Sequence, residues 1–215
     1  MYQPKTMLHR LRLLTIPSAL GVLTMLSPLK AENPYTDNSV TFKMVVAAGA
    51  ATCLPNATAT VRVRPAGNVE IMDVSVEGLP PQTEFDFFVL QVPKAPFGIA
   101  WYQGDIETDK HGRGRAEFVG RFSIETFSFA LGSAPAPIVF PVDASSNPSF
   151  NPIQMYHLGL WFGSPTAAQA AGCPAAVSFF NGEHNAGIQV LNTSNFADDQ
   201  GPLRAVNPSQ LKTAN

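Results

Sequence analysis

The chain reads as an all-β protein, an antiparallel β-sandwich with one short helix near residues 164–172. Three observations predict this. Short runs alternate apolar and polar residues with a period of two. Clusters of turn-forming residues separate those runs at short intervals. Only 14% of the residues are charged, against nineteen Pro and sixteen Gly, the composition of a loop-rich chain rather than of a helical cytosolic enzyme.

Residues 1–31 are set aside from the fold. "MYQPKTMLHRLR" carries Lys5, Arg10 and Arg12 and no acid, and "LLTIPSALGVLTMLSPL" follows as an apolar run that ends near the small residue Ala31. A basic segment, an apolar segment and a small residue at the junction describe a secretory signal peptide. The alternative is an uncleaved N-terminal anchor, although the run is short for a span of about 20 residues and contains Pro17 and Gly21. Removing residues 1–31 takes four of the fourteen basic residues and none of the sixteen acids, which leaves ten against sixteen and a formal charge of −6. No basic stripe remains, so nucleic acid is not an expected partner. No membrane contact is expected beyond the signal segment. Residues 32–205 suit one domain, with 206–215 as a disordered tail.

The strands follow in order. "VTFKMVVAA" is the first. "ATATVRVRP" puts Val61 and Val63 on one face and Arg62 and Arg64 on the other, a half-buried strand. "NVEIMDVSVEGL" alternates through Val69 and Ile71 and then through Met72, Val74 and Val76, a phase slip that predicts a β-bulge at Ile71–Met72. "EFDFFVLQV" is apolar on both faces, as a central strand is. "RAEFVGRFSIE" alternates again, and "HLGLWF" and "GIQVLN" complete the set. "PAGN" and "TDKHGRG" have the composition of turns. In "SPTAAQAAGCP" Ser164 is a good N-cap, Pro165 suits the first helical position and Gly172 the position past the end. Residues 132–152 form a Pro/Ser-rich loop within the domain.

Two cysteines, Cys53 and Cys173, are present. An even count in an exported chain favours a disulfide over two unrelated thiols. The bridge closes about 120 residues and in the chain-entropy model contributes about 4–5 kcal/mol.

"VSVEGLPPQTEFDFFVLQV" resembles the corner of immunoglobulin-like and fibronectin type III-like modules. There a strand ends in Gly-Leu-x-Pro-x-Thr-x-Tyr, and Gly78, Leu79, Pro80, Thr83 and Phe85 occupy those places. The resemblance implies an immunoglobulin-like sandwich with Leu79 plugging one end of the core. Phe85 has no hydroxyl, so the corner hydrogen bond of the tyrosine cannot form. The chain also resembles exported bacterial proteins that carry "WYQGD" and "GEHNAGIQVLNT" segments, a likeness silent on chemistry.

Candidate chemistry rests on a few residues. Glu183 and His184 in "NGEHNAG" offer a carboxylate beside an imidazole, a pair that binds a divalent metal or shuttles a proton, with His157 able to complete the set. Neighbours on extended backbone face opposite ways, so the pair converges only at a sharp bend. The alternative is a turn in which Asn185 and Gly187 tolerate positive φ. Asp105, Glu107 and Asp109 alternate on a strand and could hold Ca²⁺, or simply solvate a hairpin. Trp101 or Tyr102 could stack on a sugar, and Trp101–Tyr102 and Trp161–Phe162 should each split between core and solvent. Asn56 and Asn192 lie in glycosylation sequons. The expected function is a non-catalytic binding or structural module, secreted, periplasmic or on the cell surface, with an extracellular protein or glycan as partner and no cofactor. The alternatives are a metal-binding protein or hydrolase using Glu183 and His184, and a carbohydrate-binding module.

Overall fold

A computed structural model describes residues 38–128 and 152–208, within a compact unit spanning Tyr35–Asn215. The signal segment and residues 132–151 of the Pro/Ser-rich loop lie outside the described residues. The strands are β1 (Val40–Val46), β2 (Thr58–Ala66), β3 (Val69–Glu77), β4 (Glu84–Leu90), β5 (Ala100–Glu107), β6 (Gly114–Gly120), β7 (Phe127–Ser128), β8 (Ile153–Gln154), β9 (His157–Phe162) and β10 (Gln189–Asn192), with helix α1 (Pro165–Ala170) between the last two. Eight of them form one antiparallel sheet in the order β5-β4-β9-β10-β1-β2-β3-β6, and β7 and β8 pair separately. The end strands β5 and β6 meet at a single bridge, Thr108–Gly114, so the sheet curls nearly into a barrel. The "TDKHGRG" segment forms the expected turn, closed by this bridge and by the Asp109 N–H donating to the Arg113 carbonyl at 2.7 Å, and it joins the two ends of the sheet; β5 and β6 pair no further among the described residues.

Alternation sets which side chains fill the interior. Val61 and Val63 on β2 and Met72, Val74 and Val76 on β3 are buried, while Arg62 faces solvent. From the facing strands come Phe85, Phe87 and Val89 on β4 and Leu158, Leu160 and Phe162 on β9. Phe87 stacks on Phe118 of β6 at 5.3 Å, which ties β4 to the end strand β6 across the core.

The bulge expected at Ile71–Met72 is absent. Strand β3 keeps register with both neighbours throughout, because Glu70 rather than Ile71 points inward in phase with Met72. Glu70 is fully buried, accepts the Phe122 N–H at 2.8 Å and lies 3.9 Å from the Arg121 guanidinium. A polar residue turned inward explains the mistaken phase. The bulges fall instead between Phe87 and Phe88 opposite β5, and between Gln189 and Leu191.

At the corner before β4, Leu79 is buried as expected. A threonine just past the end of β5 ties this corner down. The Thr108 hydroxyl donates to the Pro80 carbonyl at 2.6 Å and accepts the Thr83 N–H at 2.9 Å. Helix α1 is capped by Ser164, whose hydroxyl accepts the Ala167 N–H at 3.1 Å, a cap of about 1 kcal/mol. Cys53 and Cys173 are joined, with their Cα atoms 5.2 Å apart, so the bridge pins the end of α1 to the segment after β1. Such a bond belongs to an oxidising compartment. The expected tail begins too early. Val206 is fully buried and accepts the Ile124 N–H at 2.8 Å, so the domain continues through at least that residue. Residues 209–215 lie outside those described.

A second apolar cluster covers the outer side of β4 and β9. Phe88, Leu90, Trp161, Phe180 and Ala186 are buried there, with Phe97 packed against them. Phe180 stacks on Trp161 at 3.9 Å. Trp161 and Phe162 are thus both buried, one on each side of the sheet, because the segment leading into "NGEHNAG" roofs the outer face. Trp101 and Tyr102 are both exposed. Neither aromatic pair divides between core and solvent.

Candidate functional site

Beside this aromatic roof, β4 and β5 build an acidic surface. Their register sets Glu84 opposite Glu107 and Asp86 opposite Asp105. Alternation puts Glu84, Asp86 and Phe88 on one side of β4, away from the core residues Phe85 and Phe87. On β5 a regular strand would send Tyr102 and Asp105 to opposite sides. The bulge prevents that: Phe87 pairs with Gly104 and Phe88 with Tyr102, which leaves Gln103 as the extra residue. Gly104 takes φ +143°, a conformation suited to glycine. Tyr102 therefore joins the acids, and its hydroxyl donates to Asp105 Oδ1 at 2.7 Å.

Oxygens of Glu84, Asp86 and Asp105 lie within 4.8 Å of one another. Asp86 is the deepest, at 4% exposure, and its Oδ2 has no hydrogen-bond partner among the described residues. Gly163 leaves room beside Glu84. A Cβ there would stand 3.0 Å from Glu84 Oε1 and 3.7 Å from Asp86 Oδ2. The carboxylates open on a cavity of about 570 Å³ that Tyr102, Phe179, Asn181 and Glu183 also line. No Lys, Arg or His lines it among the described residues. Burial, with the charges of Asp105 and Glu84 adding to it, pushes the Asp86 carboxyl up to about 7. Burial and the charges of Asp105, Glu107 and Glu183 raise Glu84 as well. Burial first, then the bond to Asp105, raises the Tyr102 phenol, which stays a donor.

"NGEHNAG" is a turn that supplies one wall of this cavity. The Asn181 carboxamide accepts the Asn185 N–H at 2.8 Å and donates to the Asn185 side chain at 2.8 Å and to the Gly163 carbonyl at 3.1 Å. The bend is sharp, and His184 itself takes φ +59°, where Asn185 and Gly187 were the expected positions. Gly187 serves a different need, since a Cβ there would meet Phe162 Cβ and the Ser164 carbonyl at 2.8 Å. Glu183 reaches the acidic cavity and His184, although exposed, is not part of its lining.

The expected sets regroup. His157 is fully buried, with Nδ1 2.8 Å from Thr193 Oγ1 and Nε2 3.0 Å from the Asp198 carbonyl. Both ring nitrogens are used, so it braces β9 against the 193–198 segment and does not complete a site with Glu183 and His184. Burial lowers its pKa. Asp105 and Glu107 do share a face, but Asp109 leaves it. The Asp109 carboxylate accepts the His111 and Arg113 N–H groups at 2.7 and 3.0 Å, bonds that hold its pKa below the usual range. Trp101 lines a separate groove with Val119, Phe127 and Met155, so Trp101 and Tyr102 do not form one aromatic platform. Asn192 is buried with its amide bonded to Gln189, which closes that sequon in the folded protein, whereas Asn56 is exposed.

Sequence reasoning passed over Glu84, Asp86 and Phe179. A signal for the first two existed: "TEFDFFV" spaces its acids by two, as "GDIE" does, and only cross-strand pairing joins the two signals. Searches against family models and against curated proteins find no match to this chain.

Proposed function

We propose that the chain is an exported, non-catalytic binding module with an immunoglobulin-like β-sandwich architecture. For the architecture, the sheet parts into β6-β3-β2-β1 and β10-β9-β4-β5, which meet at the pairs Val45–Asn192 and Val46–Leu191 along one margin and at the Thr108–Gly114 bridge along the other. The buried Leu79 corner agrees with it. For export, the Cys53–Cys173 bond supports an oxidising compartment, and the basic-then-apolar N-terminus supports a cleaved leader.

One observation carries the binding reading. The acceptor-rich cavity of Glu84, Asp86 and Asp105 is flanked by two exposed rings, Tyr102 at 48% and Phe179 at 67% exposure. Flat apolar rings beside hydrogen-bond acceptors suit an extracellular glycan, whose sugar faces stack while its hydroxyls donate. A glycan array followed by titration of the best binder tests this. Tyr102→Ala and Phe179→Ala should each weaken binding about tenfold or more, the loss expected of an anchoring aromatic. A blank array, or binding indifferent to both changes, overturns the glycan reading. Export is read separately, from the mass of the product after expression of the full chain. A mature start after residue 31 with no free thiol supports it, and an intact leader on reduced protein overturns it.

A further inference from the structure

The geometry points to a binding site for a hard divalent cation, calcium in this setting, formed by Glu84, Asp86 and Asp105 with Glu183 at its mouth. The choice of calcium, plentiful outside cells, rests on the export reading; the site itself does not. The first observation is convergence. Oxygens bound to one Ca²⁺ at 2.3–2.6 Å lie up to about 5 Å apart, and one oxygen from each of the three carboxylates already lies within 4.8 Å of the others. The second is the orphan. Asp86 Oδ2 is buried, lacks a partner among the described residues and borders the cavity. A buried carboxylate left without donor or cation is costly, and a bound cation removes that cost.

The surroundings favour an oxygen-seeking ion. Among the described residues the lining offers carboxylates, the side-chain amides of Asn181 and Asn185 and the Tyr102 hydroxyl, and no imidazole or thiol, so zinc and copper are poorly matched. Gly163 withholds a Cβ that would stand 3.0 Å from Glu84 Oε1 and crowd that carboxylate. The Tyr102 hydroxyl, donating to Asp105 Oδ1 at 2.7 Å, holds that carboxylate in place.

The test uses the mature protein with its disulfide intact, stripped of metal with a chelator and titrated calorimetrically with CaCl2 at constant ionic strength. The expected result is saturable binding of one ion, with a rise in thermal midpoint that NaCl of equal ionic strength does not reproduce. Asp86→Asn and Asp105→Asn should each weaken binding at least tenfold. Gly163→Ala should weaken it through the added Cβ. Asp109→Asn, in the separate turn, should bind as wild type does. Asp86→Asn relieves like-charge repulsion, so it should fold at least as well as wild type without calcium, which circular dichroism checks. No saturable binding by wild type, or unchanged affinity in both Asn variants, overturns the site. Calcium binding by a chain that keeps its leader fails the export reading alone. Export without calcium binding fails this inference alone.

Discussion

The outer side of the sheet treats the same local problem in two ways. On the β3–β6 side, Asp73 and Glu117 stand directly opposite each other. Arg64 of β2 lies between them, 3.4 Å from Asp73 and 3.2 Å from Glu117. On the β4–β5 side, Glu84 faces Glu107 and Asp86 faces Asp105, and no basic side chain of the described residues reaches the Glu84–Asp86–Asp105 cavity. Like charges directly opposite destabilise a sheet. One face brings its own cation from a neighbouring strand, and the other leaves that place to the solvent. The two buried acids, each with one side-chain oxygen that has no hydrogen-bond partner among the described residues, differ in the same way in their neighbours. Glu70 is buried against the Phe122 N–H and Arg121, while Asp86 is buried among acids.

Four changes would break or sharpen this contrast. The largest effect belongs to Glu70→Ala. It orphans the buried Phe122 N–H and strips Arg121 of a partner, so urea denaturation should give a loss of about 2–4 kcal/mol. Asp86→Asn should act with the opposite sign. In chelator it removes a charge from a like-charged cluster and should gain about 1 kcal/mol or less. If Asp86→Asn instead costs as much as Glu70→Ala, the two acids are alike and the contrast fails.

His157 provides a control outside both faces. Its folded pKa lies below the ordinary value because it is buried. The unfolded chain takes up a proton near pH 6.5, and the folded chain resists until a lower pH. The stability from keeping His157 neutral is therefore present above about pH 6.5 and declines as pH falls toward the folded pKa. His157→Gln should flatten that part of the stability curve, measured by thermal unfolding between pH 7 and pH 4, and a slope unchanged in the variant would assign it to other groups. The smallest effect is Arg64→Gln. Its ion pairs are half-exposed, so the loss should be below about 1 kcal/mol and shrink further in high salt.

Much of the fold was legible because alternation is a local property. Val61 and Val63, the Ser164 cap and the Cys53–Cys173 pair each follow from nearby residue types or from a count of two. The misreadings have two causes. Glu70 points inward, Trp161 is roofed by a loop, and His184 rather than a neighbour takes the left-handed bend. The first two depend on what a distant segment places against them, and the third on bonds from Asn181 to His184 and Asn185 within the turn.

The sequence by itself determined an all-β chain with defined strand phases and a single possible intramolecular disulfide, since period and composition act within a few residues. It also placed acids two apart in "TEFD" and in "GDIE". Only the tertiary structure decided that these acids face one another, that a bulge at Gln103 adds Tyr102, and that Glu183, from a remote turn, lines the same cavity. Cross-strand register and loop docking are set by burial of Phe88, Trp161 and Phe180 against a shared surface. That pairing of remote segments leaves no periodic trace in the chain.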